Sequence, residues 1–121
     1  MLGEEFGPKA RQVTFVLLRW NGRWSTITIP SSVGVASQLA SDGHGGFWLI
    51  ATHVEPGGTD QTDFVHYTGG RWLQASIPTK GKLASDPGVL ASVPGSQSMW
   101  AIGFLLSGST PEFGEIMSFG P

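Results

Sequence analysis

Chemistry in this chain would have to come from three histidines, His44, His53 and His66, and from the acids Asp42, Glu55, Asp60, Asp63, Asp86 and Glu112. Three imidazoles can hold zinc, but such sites usually draw on cysteines or on close pairs such as His-x-x-His, and neither is present. The turn Asp42-Gly43-His44-Gly45-Gly46 invites a metal reading as well. A calcium loop needs several spaced oxygen ligands, and only the side chains of Ser41 and Asp42 offer them here. A carboxylate in such a turn more simply accepts from its own downstream amides, and Asp42 is read as a turn cap. Glycoside hydrolysis requires two carboxylates flanking one bond. The acids are spread through loop-like stretches, and nothing in their spacing pairs any two. Nucleophile-elbow, phosphate-loop and dinucleotide-loop patterns are absent. No catalytic residue, metal or cofactor is therefore assigned, and the balance leans against an enzyme.

Two further groupings suit binding. Thr59-Asp60-Gln61-Thr62 follows Gly57-Gly58 in an expected loop, 55–62, and offers hydrogen-bonding groups fit for a sugar or a peptide. These four are the candidate ligand-binding residues; expected loops at 80–87 and 107–114 are further places where specificity would reside. Arg23-Trp24 and Arg71-Trp72 could each stack a sugar ring. Both pairs directly follow a glycine turn, and recurrence at matching positions favours packing over recognition.

The elements that must position these residues are short strands. The chain has 121 residues with 18 Gly, 8 Pro, 5 Trp and no Cys; its charged share is 13%, against about 25% in ordinary globular proteins. That composition excludes a disulfide scaffold and a cysteine nucleophile. A net charge of −2 without any Lys/Arg cluster argues against nucleic acid. No apolar run reaches the ~20 residues of a membrane helix, and MLGEEFGPKAR carries acids where a signal peptide carries bases. No stretch holds helical periodicity. Strands are expected near 13–18, 23–29, 38–41, 47–54, 63–67, 71–77, 89–93, 99–106 and 115–121, after a loose lead-in at 1–12.

Two tryptophan series run through these strands. Trp24 and Trp72 are separated by roughly the same interval, near 50 residues, as Trp48 and Trp100. Leu39-Ala40-Ser41 matches Leu90-Ala91-Ser92, and Trp20, Tyr67 and Phe119 occupy one shared position. The turn after Ser92, Val93-Pro94-Gly95-Ser96-Gln97, carries no acid. A period of this length with four short strands is that of a β-propeller blade, which covers its faces by stacking on its neighbours.

LLRWNGRWSTITIP, FVHYTGGRWLQASIP and SMWAIG resemble a bacterial β-propeller repeat of actinobacterial-type extracellular proteins, and ASDGHGGFWLIAT is similar to the Asp-Gly-x-Gly-x-x-Trp turn of sensor and sialidase-like propellers. The resemblance covers about residues 13–121 and implies an all-β fold of four-stranded antiparallel blades. The expected division is 13–30 as the end of one blade, 31–78 as a full blade and 79–121 as most of a third. Trp20, Trp24, Trp48, Tyr67, Trp72, Trp100, Phe119 and Asp42 are expected to be structural repeat positions, and His66 with them. The resemblance is nearly silent on activity and implies an extracellular or cell-envelope address; with no catalytic constellation among its residues, the chain is read as a non-enzymatic scaffold that binds or senses a carbohydrate or a protein or peptide as part of a larger extracellular protein. The alternatives are part of a sialidase-like hydrolase or lyase, with Arg19, Arg23 and Arg71 as its clamp, or a self-assembling carbohydrate-binding propeller. Nine strands fall short of the ~4–8 blades of a closed ring, so either a longer chain or self-association completes it, unless the strands form a small sandwich.

Overall fold

The computed structural model describes residues 1–6 and 13–120. These residues form ten strands and no helix: β1 (Leu2–Phe6), β2 (Val13–Trp20), β3 (Trp24–Thr28), β4 (Val35–Ser41), β5 (Phe47–Val54), β6 (Asp60–Thr68), β7 (Arg71–Ser76), β8 (Ala84–Ser92), β9 (Met99–Ser107) and β10 (Thr110–Phe119). The chain is all-β. It forms three antiparallel sheets, β1-β2-β3, β4-β5-β6-β7 and β8-β9-β10, each a meander of consecutive strands. The expected breaks at 30/31 and 78/79 fall in the two connections between sheets.

Short turns explain the meanders. Gly69 and Gly70, both at positive φ (57° and 77°), close the two-residue hairpin between Thr68 and Arg71. A turn of that kind matches the natural strand twist, and glycine enters its positive-φ positions at the least steric cost.

The middle sheet is buried on both faces. Alternation along β5 and β6 sends Trp48, Ile50 and Phe64 to one side, where they pack with Leu90, Met99 and Ala101 of the third sheet. Leu49, Ala51 and Val65 go to the other side, against Leu17 of the first sheet and Ile29 and Val33 of the connection. A strand buried on both faces reads as one apolar run, and FWLIATHV does. Strand β4 runs beside β8. The Ser92 hydroxyl donates to the Ser41 carbonyl at 2.6 Å and joins their ends.

Several expectations need correction. Within the expected lead-in, Leu2–Phe6 forms β1, paired with β2 from Leu2↔Leu17 to Phe6↔Val13; the rest of it, residues 7–12, lies outside the described residues. Strand pairing with the open edge of β2 outweighs the weak intrinsic preference of Gly3, Glu4 and Glu5. The expected loop 80–87 is largely strand: Lys80 and Leu83 exchange backbone hydrogen bonds, and β8 begins at Ala84. Pro87 is accommodated because β8 is an edge strand with a bulge between Pro87 and Val89. The loop 107–114 contracts to a hairpin, with a second bulge beside Pro111.

The sharpest correction concerns the tryptophans. Trp48 is 5% exposed, whereas Trp20, Trp24 and Trp100 are 61%, 58% and 48% exposed. They stand on the outer faces of the first and third sheets, which have a neighbouring sheet on one side only among the described residues. Trp72 is half-buried against the cluster between the first and middle sheets.

Candidate functional site

The middle sheet carries a polar group at each end of its strands. At the end near Phe47, the Asp42 carboxylate is completely buried. Its Oδ1 accepts from the backbone N–H of His44 (2.8 Å) and of Gly46 (2.7 Å), and its Oδ2 lies 3.0 Å from His66 Nε2. A Cβ at Gly46 would collide with that same Oδ2 and with the Tyr67 carbonyl, so glycine is required there. Burial pushes the Asp42 carboxyl up, but the hydrogen bonds from His66, His44 and Gly46 and the His66 charge outweigh it and hold its pKa below the ordinary value. The His66 ring lies flat on the Trp48 indole, with centroids 4.2 Å apart and planes 6° apart. Trp48 Nε1 in turn donates to the Gln97 carbonyl at 2.9 Å, and its ring meets Phe119 edge-on. Asp42, His66 and Trp48 thus form a clasp from the turn, across β5 and β6, to the third sheet. With both carboxylate oxygens engaged and no water access, the clasp offers no position for a substrate.

Two further aromatic pairs lie across neighbouring strands. Tyr67 and Trp72 face one another across β6 and β7 with ring centroids 4.7 Å apart, and Trp20 and Trp24 do so across β2 and β3 at 5.3 Å. Phe119 packs on Phe64 as well as on Trp48.

The opposite end of the strands opens into a cleft of about 530 Å³ between the middle and third sheets. All four expected ligand-binding residues, Thr59, Asp60, Gln61 and Thr62, line it. Three of them belong to β6 rather than to a loop: the turn is only Glu55–Thr59, closed by Glu55 N–H to Thr59 O (2.8 Å) and Gly58 N–H to Glu55 O (2.9 Å). A strand holds these side chains more firmly than a loop would. Thr62 also meets Thr52 across the pair, hydroxyl to hydroxyl at 3.0 Å. The third sheet and its connection supply the facing wall through Thr79, Ser85, Asp86 and Leu106. Ser85 is held by its hydroxyl donating to the Pro78 carbonyl at 2.8 Å.

On the other face of the same strand ends lies a group whose members the sequence names singly but does not pair. Asp63 is buried, and its Oδ1 accepts from Gln61 Nε2 at 3.1 Å. His53 Nε2 is 2.9 Å from Glu55 Oε1, and His53 Nδ1 stands 3.8 Å from Asp63 Oδ2, too far for a hydrogen bond. The signal was available in the spacing: His53/Glu55 and Gln61/Asp63 are i, i+2 pairs, which share one face of their strands. Register places His53 opposite Gln61.

The lining is rich in acceptors. Asp60 and Glu55 bring carboxylates to it, whereas the register sets Asp63 on the Val65 face of β6 and Asp86 opposite the exposed Phe104, both turned from the gap between the sheets; among the described residues no Lys or Arg lines the cleft. Arg71 stands at the far end of β6 from Asp60, and Arg19 and Arg23 lie in the first sheet and its turn, so the three arginines do not converge on this cleft. Among the described residues no group of three or more His, Asp or Glu side chains is placed to hold a metal ion, and no helix is long and apolar enough to cross a membrane. Comparison with known proteins returns no likeness: no protein-family model, no curated protein and no solved structure matches this chain.

Proposed function

We propose that the chain is a non-enzymatic binding scaffold of β-propeller type, its three sheets being successive blades, and that the cleft at Thr59–Asp63 takes a neutral, hydroxyl-rich ligand such as a carbohydrate. The blade reading is supported by the way matching residues recur. Trp48, Ile50 and Phe64 of the middle sheet have Trp100, Ile102 and Ile116 at the same strand positions of the third, with the same cross-strand partnerships. It is supported too by the order of the stack, in which each sheet follows the previous one in sequence.

The single observation that carries the ligand class is the cleft's lining: carboxylates from the middle sheet and its turn, hydroxyls from both walls, and among the described residues no Lys or Arg. Carboxylates accept from vicinal hydroxyls, and Thr and Ser both give and receive. The same acids repel phosphate or a sugar acid, which disfavours the sialidase-like alternative. The resemblance to extracellular repeat proteins extends the reading to an extracellular or envelope address.

Titrating the isotope-labelled chain with neutral and with acidic oligosaccharides, followed by amide NMR shifts, tests this. Shifts confined to residues 59–63 and 84–86, seen with neutral sugars and abolished by D60A, are expected. Saturating shifts at the Trp20–Trp24 hairpin instead, or none at millimolar sugar, would sink the cleft as the site.

A further inference from the structure

Among the described residues the chain makes one kind of sheet-on-sheet contact twice and leaves both halves of that contact bare. The middle sheet presents Trp48, Ile50 and Phe64 to the sheet that follows it, and Val65, Tyr67 and Trp72 toward the sheet before it. On the third sheet, Trp100, Ile102 and Ile116 occupy the positions of the first trio and are exposed on the outer face. On the first sheet, Leu18, Trp20 and Trp24 occupy the positions of the second trio, and both tryptophans are exposed on its outer face. The face left open on the third sheet is therefore of the kind the middle sheet uses to receive a follower. The face left open on the first sheet is of the kind a follower presents.

We infer that a second copy of this chain covers these faces head to tail, the first sheet of one copy packing on the third sheet of the other. The contact continues the stack already made between the first and middle and between the middle and third sheets. Exposed apolar surface of this extent is otherwise a liability. On the blade reading, on which the closure count rests, two copies bring six sheets into one ring, inside the range of ~4–8 for propellers, whereas three copies would bring nine. A two-fold pair satisfies both bare faces of both copies and leaves no open end to grow a filament.

The test is light scattering on the intact chain after size exclusion, with W100E to block one face and W24E to block the other. Both side chains are already exposed, so the fold is expected to survive, as far-ultraviolet circular dichroism will show; I102K and T26E repeat each block independently. A mass twice the 12.8 kDa chain is expected for the wild type, and the single-chain mass for each variant alone. An equimolar mixture of W100E and W24E retains one good contact and returns to the doubled mass. A wild type that is monomeric, or whose mass climbs without a plateau, overturns the inference. So does a variant pair of which only one member dissociates, the mark of like faces meeting, or a mixture that stays at the single-chain mass. A monomer that still shifts at residues 59–63 with neutral sugar overturns the assembly alone. A dimer without such shifts overturns the ligand reading alone.

Discussion

Trp48 and Trp100 stand at the same position of two sheets, second residue of β5 and of β9, and they lead different lives. Trp48 is buried, stacked on His66 and hydrogen-bonded through its indole N–H to Gln97. Trp100 is half exposed, and Ser118 sits across from it where His66 sits across from Trp48. The turns before them differ in the same sense. Asp42 ties its turn to His66, whereas in the later turn the Ser96 hydroxyl accepts from the Ser98 N–H and donates to the Val93 carbonyl, without reaching any other strand. A repeated sequence therefore specifies a repeated backbone. Burial and hydrogen bonding depend on what stands next to each copy, and the polar clasp occurs where two sheets must be held in register.

The comparison breaks most sharply at the tryptophans. In a T26E background that prevents association, W48A is expected to cost about 3–5 kcal/mol, the range for emptying a buried aromatic site. W100A in the same background is expected to fall within about 0.5 kcal/mol of its parent, as exposed substitutions do. Urea denaturation of the two side by side measures the gap, and equal losses would mean that Trp100 is part of the folded core.

Asp42 gives the next largest effect. D42A strands the His44 and Gly46 amides and the His66 ring, at about 2–3 kcal/mol for buried donors left without an acceptor. The pH dependence has a definite sign. Because the folded carboxyl titrates below its unfolded value, its contribution is complete above the unfolded pKa of about 3.9 and is lost as pH falls through the lower folded value. Thermal melts from pH 5 downward are expected to show a steep loss in the wild type and a shallower one in D42N. Parallel curves would assign the acid sensitivity to other groups.

How much of this could be read beforehand depended on whether the deciding contacts were local. The bounds of β5 were legible because both of its faces are buried and an Asp-Gly turn precedes it. The strand β8 was legible only from Val89 onward: Pro87-Gly88 reads as a turn, and the bulge that admits it is a property of an edge that the sequence does not display. The clasp joins Asp42 to His66 through a register across three strands, so its members were visible as residues but not as partners. The cleft was half visible. Thr59–Thr62 stood out by composition, while Ser85 reaches it only because the third sheet stacks on the middle one. The exposure of Trp24 and Trp100 was hidden for the same reason, since burial requires a neighbour and the repeat shows only the residue.

The smallest effect tests whether the clasp can be moved. V93D and S118H together place an acid at the position of Asp42 and an imidazole at the position of His66, opposite Trp100. The later turn is one residue longer than the earlier one, and Pro94 removes one amide, so the transplanted acid should be less well held. A double-mutant cycle is expected to give a favourable coupling of about 0.5–1 kcal/mol, in the range for residues in direct contact. A coupling of zero would place the clasp's origin in the Gly45-Gly46 turn rather than in the Asp–His pair. The distinction matters for the architecture: a coupling that appears on an outer face, with no following sheet, would show that the pair orders its own turn before any neighbour stacks upon it.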